Sequence, residues 1–93
     1  MSATPQPAAL RARVLELLAG VAPDVDPASV QADVEFREQF DFDSMDLFNF
    51  AAALHVEFGL DIPERDYRQL LQLDRCLAYL AGQLGAAAGP GGA

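Results

Sequence analysis

The sequence predicts an all-α fold, a bundle of four helices with a long loop between helices 1 and 2 and a short helix 3. Apolar residues recur at three- and four-residue spacing in separate segments, no segment alternates with period two, and turn-forming residues cluster between the segments. The 93 residues suffice for one compact domain, and the single cysteine, Cys76, cannot form an intramolecular disulfide.

The first helix is predicted from Pro7 to Ala19, with Gly20 as its end. Its apolar positions are Leu10, Val14, Leu17 and Leu18. The connection that follows is long for a small bundle, so its apolar residues should anchor it to the core. These anchors are Val34, Phe36 and Phe40, of which the two phenylalanines could share one helical turn.

The second helix should begin at Ser44, capped by Asp43 or by Ser44 itself, and end at Gly59 in the left-handed conformation. A helical wheel places apolar residues on two separate sides of it. The core side comprises Leu47, Phe50, Ala51, Leu54 and Phe58. The other side comprises Met45, Phe48, Ala52 and Val56. Either the long loop covers this second side, or it is a docking surface for a partner protein.

The third helix is predicted to be short, with Asp61 as its cap, and to run through about Leu71. The fourth helix follows directly, with Asp74 as its cap. Its apolar stripe comprises Leu73, Cys76, Leu77, Leu80 and Leu84. We expect residues 1–6 to be a flexible N-terminus, residues 7–84 to form the folded domain, and residues 85–93 to be a flexible tail.

Charge and hydropathy exclude several classes of function. Six arginines, no lysine and fourteen acidic residues give a net charge of -8, which opposes nucleic-acid binding and favours partners with basic surfaces. No apolar run approaches the roughly 20 residues of a membrane span, and the N-terminus lacks a signal-peptide pattern. We therefore expect a cytoplasmic monomer without a membrane span.

Ser44 stands in the run Asp41-Phe42-Asp43-Ser44-Met45-Asp46. Taken alone, a serine at a helix start is an ordinary cap. Here its hydroxyl would lie at an exposed helix N-terminus beside carboxylates and an apolar surface. Helix-end amides would favour a phosphodiester at that point, whereas the aspartates would oppose a fixed anion, so an attached arm should be held only weakly by the surface.

The run from Phe36 to Leu80 resembles the acyl carrier protein family, also called the phosphopantetheine-binding or peptidyl carrier family, in its stand-alone form. The family's Asp-Ser-Leu signature stands here as Asp43-Ser44-Met45, the following Asp is Asp46, and residues 36–41 represent the lead-in. Further matching positions are Leu54, Glu57, Phe58, Ile62, Pro63, Tyr79 and Leu80. The resemblance implies the acyl-carrier type of four-helix bundle.

By this resemblance, a phosphopantetheinyl transferase would use coenzyme A to attach 4'-phosphopantetheine to Ser44, with Asp43 as part of the signature. The arm would hold an acyl or aminoacyl group as a thioester for a loading ligase and for acyltransferases or synthases, and the protein itself would not be an enzyme. Fatty acid, polyketide and nonribosomal peptide synthesis all use such carriers. Family analogy places an acyl pocket near Phe36, Leu54, Ile62 and Leu80.

Departures from the family pattern concern partner recognition and, at Asp41, the local backbone geometry. Asn49 stands where the family commonly has Glu, His55 and Val56 stand where fatty acid carriers are often acidic, and Asp41 replaces a usual glycine. The candidate docking residues are Met45, Asp46, Phe48, Asn49, Ala52 and Val56. We expect docking through apolar contact more than through salt bridges, and a role in a specialised pathway.

The same residues argue against an enzyme site and a metal site. An esterase is excluded because the single histidine, His55, would lie roughly 16 Å from Ser44 along the helix. A calcium loop from Asp41 fails because its sixth and twelfth positions are Asp46 and Ala52, and no other metal site is indicated. The remaining alternative is a non-enzymatic helical adaptor that binds a protein and carries no cofactor.

Overall fold

The computed structural model describes residues 7–88. They form four α-helices: α1 (Pro7–Val21), α2 (Phe36–Gln39), α3 (Ser44–Phe58) and α4 (Leu73–Ala88). Two 3-10 segments, Pro27–Ser29 and Glu64–Leu71, lie between the α-helices. The longer one, Glu64–Leu71, is called the 3-10 helix below. Within this range the only β-type pairing is an isolated bridge between Glu35 and Gln72. The all-α prediction is confirmed, while the expectations for residues 1–6 and 89–93 lie outside the described residues.

One core joins the helices, and four phenylalanines form its aromatic centre. The ring of Phe36 lies 5.5 Å from Phe40, 5.5 Å from Phe42 and 6.1 Å from Phe50 between centroids. Phe36 and Phe50 are fully buried and belong to α2 and α3, so this cluster fixes the long connection onto α3. The predicted anchoring by Phe36 is confirmed, Val34 and Phe40 are half-buried, and Phe42 is an additional anchor.

Helix α1 ends two residues later than predicted. Gly20 keeps a negative φ within the helix, and the N–H of Ala22 still donates to the carbonyl of Leu18 at 2.8 Å. Ala22 is buried, so packing carries the chain past the glycine. The other predicted stop is confirmed: Gly59 has φ 66° and its N–H donates to the carbonyl of His55 at 2.8 Å.

The caps predicted for the last two helices are wrong. The 3-10 helix begins at Glu64 after Pro63, whose extended backbone makes the turn without a side-chain cap from Asp61. Helix α4 begins at Leu73, one residue before Asp74, because the buried Leu73 side chain already packs in the core. Asp74 therefore lies in the first turn, and its N–H donates to the carbonyl of Ala32 at 3.0 Å. Helix α4 continues to Ala88, so residues 85–88, which were predicted to belong to the flexible tail, are helical.

Two side-chain links join neighbouring helices. The hydroxyl of Tyr79 on α4 donates to Asp66 of the 3-10 helix at 2.8 Å, and partial burial together with this bond raises the pKa of Tyr79 to about 12. Arg13 on α1 donates two 2.7 Å hydrogen bonds to the carboxylate of Glu57 on α3.

No helix in residues 7–88 is long and apolar enough to cross a bilayer.

Candidate functional site

The N-terminus of α3 is closed by a reciprocal pair of aspartates. The Asp43 carboxylate accepts a hydrogen bond from the N–H of Asp46 at 2.9 Å, and the Asp46 carboxylate accepts one from the N–H of Asp43 at 3.1 Å. Asp43 has extended backbone angles, φ -99° and ψ -174°, as a cap requires. Asp43 is therefore the cap, and Ser44 is the first residue inside the helix.

Ser44 is exposed, and its hydroxyl takes no part in this capping. The side-chain bonds that close the helix involve only Asp43 and Asp46, and no hydrogen bond of the Ser44 hydroxyl is found within residues 7–88. The simplest structural role of a serine at this position, capping, thus belongs to its neighbour. The hydroxyl remains accessible for covalent modification.

The surroundings of Ser44 are acidic. A depression of about 190 Å³ near the start of α3 is lined by residues 21–24 together with Asp41 and Asp46, and no cationic side chain lines it. These carboxylates would repel a phosphate group that was not covalently attached. An arm bonded to Ser44 would therefore extend into solvent rather than settle into this depression.

The second apolar side of α3 is not covered by the loop. Met45 is 63% exposed, Phe48 53% and Val56 81%, and Asn49 and Ala52 are exposed beside them. We call these five residues the apolar face. Loops and helices in residues 7–88 leave this face open, and its interpretation as a docking surface stays a prediction.

Carboxylates of α3 are already engaged elsewhere. Asp46 is half-buried and belongs to the capping pair, and Glu57 binds Arg13 through both of its oxygens. The hydrogen bond from Arg13 lowers the pKa of Glu57, and Glu57 in turn raises the pKa of Arg13. None of the five residues of the apolar face carries a carboxylate, and both carboxylates of α3 are bonded within the chain.

A groove of about 230 Å³ separates α3 from the 3-10 helix. Its walls are Phe48, Ala51, Ala52, His55, Asp61, Ile62 and Tyr67. The rings of Phe48 and Tyr67 meet edge to face with centroids 6.3 Å apart. Nδ1 of His55 lies 2.6 Å from the carbonyl oxygen of Leu60, and since a carbonyl can only accept, Nδ1 carries the proton. Along the axis of α3 the groove spans roughly 6 to 16 Å from Ser44.

The four acyl-pocket candidates do not share one accessible wall. Phe36, Leu54 and Leu80 are fully buried in the core, whereas Ile62 is half-buried and lines the groove. An acyl chain reaching all four would have to displace core side chains. The groove offers an accessible apolar surface without that displacement.

Comparison with known families gives the decisive observation. The family model described as phosphopantetheine attachment site matches residues 12–85, most of the chain. The chain belongs to this family. A family member carries 4'-phosphopantetheine as a covalent group and acts as a carrier, not as an enzyme. The exposed, unbonded hydroxyl of Ser44 fits such a group.

Several relatives of this phosphopantetheine protein are named acyl carrier proteins. The chain is 28% identical over 79 residues to the acyl carrier protein of Thermosynechococcus vestitus, covering 82% of this chain and 98% of the relative. It is 34% identical over 56 residues to that of Bdellovibrio bacteriovorus, covering 60% and 72%. The mitochondrial acyl carrier protein of Neurospora crassa is 27% identical over 71 residues, and the match covers 76% of this chain and about half (53%) of that relative.

Two features of this carrier site were not predicted from the sequence. The reciprocal role of Asp46 was signalled by the three-residue spacing from Asp43, which is the spacing of a capping box. Tyr67, which borders the groove opposite Phe48, had no sequence signal because the contact joins residues from two separate helices.

The thiol of Cys76 should be unreactive in this phosphopantetheine protein while it is folded. It is fully buried on α4, and burial raises its thiol pKa to about 12. Because the thiolate is the reactive form, we expect the folded chain without its cofactor to show no reaction with a thiol reagent at pH 8, and one thiol after denaturation. After cofactor attachment the folded protein should show one thiol, that of the arm. A reactive thiol in the folded, cofactor-free protein would contradict the burial of Cys76.

Proposed function

We propose that Ser44 is the attachment point of the 4'-phosphopantetheine arm and that the arm's terminal thiol carries an acyl or aminoacyl group as a thioester. The observation that carries this proposal is the division of roles at the start of α3. Asp43 and Asp46 close the helix, while the neighbouring hydroxyl is exposed and makes no hydrogen bond within the described residues.

In this proposal the chain's own residues position and present the arm. The capping pair and the buried side of α3 hold Ser44 at a fixed place on the surface. The carboxylates of Asp41, Asp43 and Asp46 repel the phosphate of the arm, so apart from the covalent bond to Ser44 the phosphate should make no contact with the protein surface. A tether of this kind raises the local concentration of the cargo at each docked enzyme.

The partners that follow are a phosphopantetheinyl transferase acting with coenzyme A, an acyl- or aminoacyl-loading ligase, and acyltransferase or synthase enzymes. We propose that they dock on α3 through Met45, Phe48, Asn49, Ala52 and Val56, next to the half-buried Asp46. The apolar face supports contact with an apolar partner surface, since its five residues carry no carboxylate and the two carboxylates of α3, Asp46 and Glu57, are engaged in intramolecular bonds. This property favours a specialised pathway over housekeeping fatty acid synthesis. We also propose that the carrier acts in the cytoplasm.

Housekeeping fatty acid synthase enzymes should therefore turn over this carrier poorly. The usual carriers of these enzymes present carboxylates on the helix that corresponds to α3. Here Asn49, His55 and Val56 stand at those positions. We expect kcat/KM with an acyltransferase of fatty acid synthesis to fall at least about tenfold below its own carrier, the effect of losing one or two charged contacts. Turnover comparable with the cognate carrier would contradict apolar docking. Asn49→Glu should recover part of the activity.

The function is tested by intact mass after incubation with coenzyme A, magnesium and a broad-specificity phosphopantetheinyl transferase. A carrier should gain the mass of one phosphopantetheinyl group, and the arm should then accept an acyl group from a loading enzyme. The exposed apolar face also suits a helical adaptor that carries no cofactor. No mass gain, with an established carrier modified in the same assay, would favour that adaptor.

A further inference from the structure

Three of the six arginines of this acidic chain meet at one pocket. Arg37 of α2, Arg68 of the 3-10 helix and Arg75 of α4 line a cavity of about 310 Å³, together with Glu35 and Leu71. The three arginines come from three separate elements. Their convergence is therefore a property of the fold rather than of one charged helix face.

The pocket has a surplus of positive charge. Glu35 and Arg37 form an ion pair at 3.0 Å, whereas Arg68 and Arg75 form no ion pair within residues 7–88. Three cations and one carboxylate leave a net of two positive charges around the cavity, in a chain whose net charge is -8. Like charges that outnumber the carboxylates around them repel one another, so an anion bound among them would relieve that repulsion.

The backbone around the pocket is held in place. The bridge between Glu35 and Gln72 joins the start of α2 to the start of α4, and the N–H of Asp74 donates to the carbonyl of Ala32. Leu71 is buried between them and gives the pocket an apolar wall. The elements that carry the arginines are therefore positioned before any ligand arrives.

We propose that this pocket is an anion-binding site for a phosphomonoester dianion. Guanidinium groups bind tetrahedral phosphate oxygens through paired N–H donors, and only one of the donors of Arg37 is engaged, by Glu35. A phosphomonoester carries close to two negative charges at neutral pH, which matches the surplus of the pocket. A carboxylate would neutralise only half of it. The proposal does not depend on the attachment of a cofactor at Ser44.

The site is tested by NMR titration of the full chain with sodium phosphate and with phenyl phosphate, against sodium chloride at matched ionic strength. We expect saturable shifts of the backbone amides and arginine Nε–H groups at positions 37, 68 and 75. R68Q and R75Q should each weaken binding about tenfold, the effect of losing one charged hydrogen-bonding partner. R65Q is the matched control, because Arg65 is exposed on the same 3-10 helix but does not line the pocket.

Each other outcome overturns the assignment. Equal shifts with chloride, or an equal loss in R65Q, would reduce the effect to general screening of charge. Tighter binding of acetate than of phosphate would make the pocket a carboxylate site. An acidic peptide that saturates the same three arginines more tightly than either phosphate compound would make it a protein-docking surface. Circular dichroism of the variants verifies that each is folded, as exposed arginines should allow.

Discussion

Replacing Phe36 with alanine should lower the free energy of unfolding by about 3–5 kcal/mol. The side chain is fully buried and contacts the rings of Phe40, Phe42 and Phe50, so its removal leaves a cavity at the junction of α2 and α3. Domains of this size have total stabilities at the low end of about 5–15 kcal/mol. The variant should therefore lose most of its stability in urea unfolding followed by circular dichroism.

Phe48→Ala is the matched control for the core. It removes the same side chain, but from an exposed position with one aromatic neighbour, Tyr67. We expect a loss below about 1 kcal/mol, as for other surface substitutions. Similar losses in the two variants would show that the aromatic cluster does not anchor the long connection to α3.

Ser44→Ala should abolish phosphopantetheine attachment entirely, because no other group near the start of α3 offers an exposed hydroxyl. Its stability should change little, since capping by Asp43 and Asp46 does not involve the serine. Folding and modification are thereby separated: thermal unfolding should match that of the parent chain while the mass gain is lost.

Ser29→Ala is the control for Ser44→Ala. Ser29 is also exposed, but its hydroxyl donates to Asp26 at 3.1 Å and it ends the segment Pro27–Ser29 rather than opening a long helix. We expect attachment to proceed as in the parent chain. Equal loss in both variants would point to a general defect in recognition by the transferase.

Much of the fold could be predicted because local signals and core packing agree. Asp43 caps the start of α3 and Gly59 ends it, as the preferences of these residue types indicate. The apolar spacing of α4 places Leu73, Cys76 and Leu80 in the core. Helix ends were wrong where tertiary packing outweighed local preference. The burial of Ala22 extends α1 beyond Gly20, and the burial of Leu73 starts α4 before Asp74.

The site was predictable only where it lies on one helix. The order Asp43-Ser44-Met45 and the apolar face follow from positions along α3, and the structure adds that Asp46 shares the capping. The groove beside Tyr67 and the arginine pocket require contacts between elements distant in sequence. Periodicity carries no information about such contacts, so these two features could be found only in the three-dimensional arrangement.

The most direct test of the central claim is to locate the attached group within the chain. Fragmentation mass spectrometry of the peptide containing residues 38–65, after modification by the transferase and proteolysis at arginine, should place the phosphopantetheinyl group on Ser44, the one serine of that peptide. A modified protein in which the group lies on a peptide without Ser44, or an unmodified chain beside a modified control carrier, would contradict attachment at Ser44.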